Sequence, residues 1–188
     1  MKLLMVGVLA WSLIHLVPSG APGLRKKLVS GMGEMAYKAV FALLMVGAVV
    51  LMVKGWKLSD ETALYTAPDW GGFVTLVLML GTSITFFAPY MANNLSRLLR
   101  HPQLTGIVLF GIGHLAAVGD LRSVVLFGGL ALWAILEILL INRREGVWVK
   151  PQPATHKEDF KLFLAGLGFF MIFMFTHQGL FGVSPVPS

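Results

Sequence analysis

Six apolar runs, each nearly free of charge, leave this chain little choice but a bundle of helices in lipid. They cover about Leu3–Val17, Tyr37–Val53, Trp70–Met91, Pro102–Ala117, Ser123–Ile141 and Leu162–Thr176. Upright passage through a bilayer takes about 20 residues, and several runs are shorter. The first and last continue into uncharged sequence, and Lys38 and Lys54 can reach water from the ends of the second. Pro89 lacks an amide hydrogen and should kink the third run or end its regular part. Beyond it, Asn93, Asn94, Arg97 and Arg100 suit an interfacial helical tail. Gly119–Asp120 makes a tight turn, with Asp120 as N-cap of the fifth span.

The expected fold is therefore all-α: a polytopic membrane helical bundle of about six transmembrane helices, one domain over residues 1–188. With 56% hydrophobic and 13% charged residues the chain cannot cover a soluble surface, so the lipid bilayer is its first partner. The net charge of +6 does not indicate nucleic acid, because the basic residues fall in short loops between apolar runs. One set of alternating loops carries eleven of the fifteen Lys and Arg, from Arg25, Lys26 and Lys27 through Arg143, Arg144 and Lys161. The other set has Lys2, Lys54, Lys57 and Arg122. The positive-inside bias then places both termini in the periplasm of a bacterial inner (cytoplasmic) membrane, and Asn142–Lys161 in the cytoplasm as a solvated linker. Lys2, the apolar run and Ser19–Ala21 imitate a signal peptide. The basic cluster at Arg25–Lys27 opposes export of the residues beyond it, so the segment reads as a retained first helix.

With no cysteine, disulfides and thiolate chemistry are excluded, and a metal or haem must rely on His, Met, carboxylate or backbone. No P-loop, His-Glu-x-x-His, Gly-x-Ser-x-Gly or internal repeat occurs. What stands out is polar residues in apolar surroundings, where each ionisable group costs roughly 2.5–3.5 kcal/mol on insertion scales. His177, beside Gln178 at a span end, reads as a hydrogen-bonding partner of a neighbouring helix. His101, just before Pro102, reads as a helix-end residue, and His156 is solvated. His15 and His114 lie deeper. Each is twelve residues into its span, about 18 Å from opposite faces, so in a core ~30 Å thick their levels differ by about 6 Å. Two such imidazoles can share one haem iron, or they can face apart.

On the face of His114 lie Gly111, Phe110 and Gly106, which would leave a slot for a flat ligand or allow close helix packing. Ser12 and Trp11 accompany His15, and Ser12 can orient a ring nitrogen. Glu137 lies six residues before Arg143, about 9 Å inside the boundary. Its readings are an interfacial carboxylate tied to a basic group such as Arg100, His101 or His15, or a proton relay. Thr75, Thr82 and Ser83 form a stripe suited to interhelical hydrogen bonds.

Four strings in order, HLVPS (His15–Ser19), GEMAYK (Gly33–Lys38), RHPQLTG (Arg100–Gly106) and HLAAVGD (His114–Asp120), resemble the NnrU-domain family. Val118 departs from the pattern, which has Asn before Gly-Asp. The family is linked with nitrite and nitric oxide reduction, and its relatives include 15-cis-ζ-carotene isomerase, a membrane enzyme with haem b. The resemblance implies haem b here, with His15 and His114 as iron ligands and His101 as a further matching histidine; the residues read above, Ser12, Gly111 and Glu137, are the other supporting candidates. It implies an accessory or sensing role in nitric oxide and denitrification metabolism; beyond the bilayer, the candidate partners are a lipophilic substrate or a membrane redox partner. The alternatives are a haem-dependent cis-trans isomerase of a carotenoid or similar lipophilic substrate, and a purely structural membrane scaffold.

Overall fold

In the computed structural model the described residues, 1–185, are helices joined by turns, with a lone antiparallel bridge between Ala63 and Asp120. The helices are α1 (Lys2–Gly20), α2 (Pro22–Met32), α3 (Glu34–Lys57), α4 (Gly71–Phe87), α5 (Pro102–Ala117), α6 (Leu121–Glu145) and α7 (His156–Phe181). Helix α6 is π-wound over Val124–Gly128. Five segments are long and apolar enough to cross a membrane: α1, α3, α4 with its short extension to Tyr90, α6 and α7. The sixth apolar helix, α5, has 16 residues and rises about 24 Å, a little under a full hydrocarbon core. Leu43 on α3 is 72% exposed and Phe175 on α7 79% exposed. Apolar exteriors of this kind suggest a lipid bilayer as the solvent.

Each apolar run of the sequence forms a helix, but several ends differ from expectation. Thr155 and Glu158 form a reciprocal cap: the Glu158 amide donates to Thr155 Oγ1, and the Thr155 amide donates to Glu158 Oε2 at 2.7 Å. This starts α7 at His156, and with α6 running to Glu145 it shrinks the polar connection to residues 146–155. The helical tail expected beyond Pro89 is absent. In its place are two single 3-10 turns, Ala88–Tyr90 and Leu95–Arg97. The Asn93 side-chain amide donates to the carbonyls of Ala88 (2.7 Å) and Met91 (2.6 Å) and accepts from the Ser96 amide, replacing helical bonds with local side-chain ones. Asp120 caps α6 as expected, accepting from the Ser123 amide at 2.7 Å. Ser188 and its two predecessors lie outside the described residues.

The chain divides into two compact units, one of Met1–Leu64 with Asp120–Gly146, the other of Tyr65–Gly119 with the segment from Val147 onward. In the first, α1 and α3 are antiparallel neighbours brought together by missing side chains. A Cβ on Gly7 would sit 2.7 Å from the Met52 amide nitrogen, and one on Gly55 would run into the Leu4 backbone. Helix α6 joins them where Gly129 accepts Val8. Leu4, Val8 and Met52 form the buried centre, flanked by Trp11, Trp56, Leu126 and Leu130. Small residues are what membrane helices use to approach each other, since lipid offers no hydrophobic drive between them.

In the second unit α4 and α5 run antiparallel in the same way. Thr75 Oγ1 donates to the carbonyls of Gly113 (2.6 Å) and Gly71 (2.8 Å), and Thr82 Oγ1 lies 3.1 Å from the Gly106 carbonyl. Ser83, the third residue of that stripe, donates to the Met79 carbonyl of its own helix. Helix α7 packs on α4 through Gly166 against Ile84, and Phe169 stacks on Phe86 at 5.3 Å. Asn94 clamps the start of α7, donating to Asp159 from both its amide and its side chain.

Candidate functional site

His15 sits on the last third of α1 with its imidazole held by the helix itself. Its Nδ1 is 3.0 Å from the Trp11 carbonyl, one turn back. A carbonyl only accepts, so Nδ1 carries the proton and Nε2 keeps the lone pair. The ring lies among aromatic groups of the first unit: Trp11 at 4.4 Å, Trp133 of α6 at 4.8 Å and Phe41 of α3, edge-on, at 5.4 Å. Trp133 donates its indole N–H to Glu137 at 3.3 Å.

Glu137 is thus no interfacial carboxylate held by an arginine. It is 4% exposed, and its hydrogen-bond partner is the tryptophan one turn away on its own helix. Ser12 does not orient the imidazole either: its hydroxyl donates to the Val8 carbonyl at 2.8 Å, and Trp11 holds the ring. Among the described residues the Trp11 indole N–H is buried without a partner, which leaves one donor of this aromatic group uncommitted.

His114 repeats the arrangement on α5 in the second unit. Its Nδ1 is 2.9 Å from the Phe110 carbonyl, and its ring lies 4.3 Å from the Phe110 ring. Again the carbonyl assigns the proton to Nδ1 and the lone pair to Nε2. The glycines on this helix mostly serve its neighbour. Gly106 and Gly113 are filled from α4, where added Cβ atoms would meet Thr85 Oγ1 and, at 2.9 Å, Met79 Cε. Gly106 therefore belongs to helix packing and opens no slot. Gly111 is buried.

The other histidines have ordinary places. His101 precedes the first turn of α5, where its carbonyl accepts from the amide and hydroxyl of Thr105. Among the described residues His177 hydrogen-bonds within its own segment and not to a neighbouring helix: its Nδ1 lies 2.8 Å from the Val183 carbonyl, closing the end of α7 over Gly182, whose φ is +75°. His156 opens α7. Among the described residues no three His, Asp or Glu converge as a metal-binding group.

What the two sites share is an imidazole with Nδ1–H tied to the carbonyl one turn back, beside an aromatic ring. Ligating histidines are oriented by such a bond from the other ring nitrogen, and haem iron takes this type of ligand. The donor chemistry of each site fits haem. Sequence reasoning does not single out Trp133 or Phe41, although Trp133 and Glu137 stand one turn apart and signal a shared face.

The family described as NnrU protein matches residues 3–185, nearly the whole chain. No curated protein and no solved structure matches the chain.

Proposed function

The chain belongs to the NnrU family, and from that premise we propose that it is a haem-binding integral membrane protein with an accessory or sensing role in nitric oxide and denitrification metabolism. The observation that carries the haem reading is the twin local geometry of His15 and His114, each with Nδ1–H committed to the carbonyl one turn back. A bound haem b would supply redox-active iron whose spectrum and potential depend on its axial ligands. The protein's own part is to keep each ring in one tautomer, and to surround His15 with aromatic and apolar groups that keep water out. The metabolic role rests on the family alone.

Purification from haem-replete cells tests this directly. A Soret band is expected, and its shift or loss in His15→Ala and in His114→Ala separately. A colourless protein that takes up no added haem would overturn the cofactor. An unchanged spectrum in both variants would overturn the ligands. Conversion of 15-cis-ζ-carotene in darkness, lost in His114→Ala, would replace the accessory role by an isomerase. Altered nitric oxide consumption in a deletion strain is the result that the accessory role requires.

A further inference from the structure

Helix α2 has no apolar run to predict it, and none of its eleven residues is buried. Lys26, Lys27 and Ser30 occupy one side, and Leu28 and Val29 are half-buried on the other. Leu24 and Met32 are 47% and 43% exposed. The helix is set off by Ala21 and by Gly33, whose φ of +83° is strained for an L side chain. Because α1 and α3 are antiparallel partners, the connection between them lies at one end of the first unit. That is the level where apolar spans give way to headgroups.

The same end gathers the charge. Arg144 Nη1 donates to the Pro18 carbonyl at 2.6 Å, which brings the last turn of α6 beside the last turn of α1. Arg25, Lys26, Lys27, Lys38, Arg143 and Arg144 thus share this end with two carboxylates, Glu34 and Glu145. Both are already paired, to Lys38 at 2.8 Å and Arg144 at 3.1 Å. Arg25 lies over the Tyr37 ring. Lys26, Lys27 and Arg143 are exposed and form no ion pair among the described residues. The opposite end is balanced: Arg122 pairs with Glu61 and Asp120 and lies over Trp56 at 4.4 Å.

We propose that α2 is an interfacial helix and that it binds anionic phospholipid headgroups through Lys26 and Lys27, with Arg143 at the same end of the unit. An amphipathic helix with lysines on its polar side lies in the headgroup plane and gains from anionic lipid. A second copy of the chain is the poorer occupant, because like-charged surfaces would meet. The inference is independent of haem.

The test uses the full-length protein in micelles holding equal phosphatidylglycerol and phosphatidylcholine, with retained lipid weighed by native mass spectrometry. Preferential retention of phosphatidylglycerol is expected. The variant Lys26→Gln/Lys27→Gln, at exposed positions the fold does not use, should lower it by about fivefold for each lysine removed. The pair Lys54→Gln/Lys57→Gln, at the other end, should leave it unchanged. Equal retention of the two lipids, equal loss in both pairs, or a dimer that the α2 variant dissociates would each overturn the proposal. A nitroxide on Leu24→Cys in nanodiscs gives a second measurement. It should be reached by oxygen and shielded from a water-soluble nickel chelate, more so with phosphatidylglycerol present. Free access of the chelate in both lipids would place α2 in water and end the idea.

Discussion

Trp133 and Glu137, one turn apart on α6 and both buried, satisfy each other: the indole N–H donates to the carboxyl at 3.3 Å. The bond fixes the face of the indole that packs on His15. Replacing Glu137 by Gln keeps an oxygen that can accept, so the change in stability should stay within about 1 kcal/mol. Glu137→Leu leaves the indole donor orphaned and should cost about 1–3 kcal/mol. Denaturant unfolding in detergent, read by tryptophan fluorescence, measures both. Equal losses would show that the hydrogen bond is not what matters there.

Gly55 of α3 should resist enlargement. Its added Cβ would meet the backbone of Leu4, which has no rotamer by which to yield, and Gly55→Ala is expected to cost about 1–3 kcal/mol. Gly31 of α2 has open space around it. Gly31→Ala should stabilise by roughly 0.5–1 kcal/mol through helix propensity. Thermal unfolding followed by circular dichroism compares them, and the order of the two melting temperatures decides.

Thr75 and Thr82 tie α4 to α5 through the carbonyls of Gly113 and Gly106. Valine keeps their shape and removes the hydroxyl. Each Thr→Val change should cost about 0.5–2 kcal/mol, as interhelical bonds in membranes do, and Thr75→Ser should recover most of its share. No loss in either valine variant would mean that glycine packing alone holds the pair.

The absence of cysteine makes orientation easy to read. Ser30 in α2 and Asp60 beyond α3 are exposed, at opposite ends of the antiparallel pair α1 and α3. We expect Ser30→Cys to react with an impermeant maleimide from the cytoplasmic side, and Asp60→Cys from the periplasmic side. The reverse pattern would invert the topology.

Length and local chemistry decide what is legible in the sequence. Six apolar runs become six helices because burying a backbone in lipid demands it whatever the neighbours are. Asp120 can be read as a cap, and Pro89 as a stop, because both act on their own backbone. His15 and His114 stand out because an imidazole in an apolar run is costly wherever it points. Other features belong to the tertiary structure alone. Glu137 has basic candidates in the sequence and finds Trp133 instead. Gly106 favours helix packing over a ligand slot by its spacing, but only the fold shows that Thr85 fills it. Helix α2, too polar to announce itself, forms where α1 and α3 need a connection across one end. The physical reason is common to all three. In lipid, apolar periodicity does not say which faces meet, and partners are chosen by the steric fit of small residues and by single hydrogen bonds, which only the folded chain brings together.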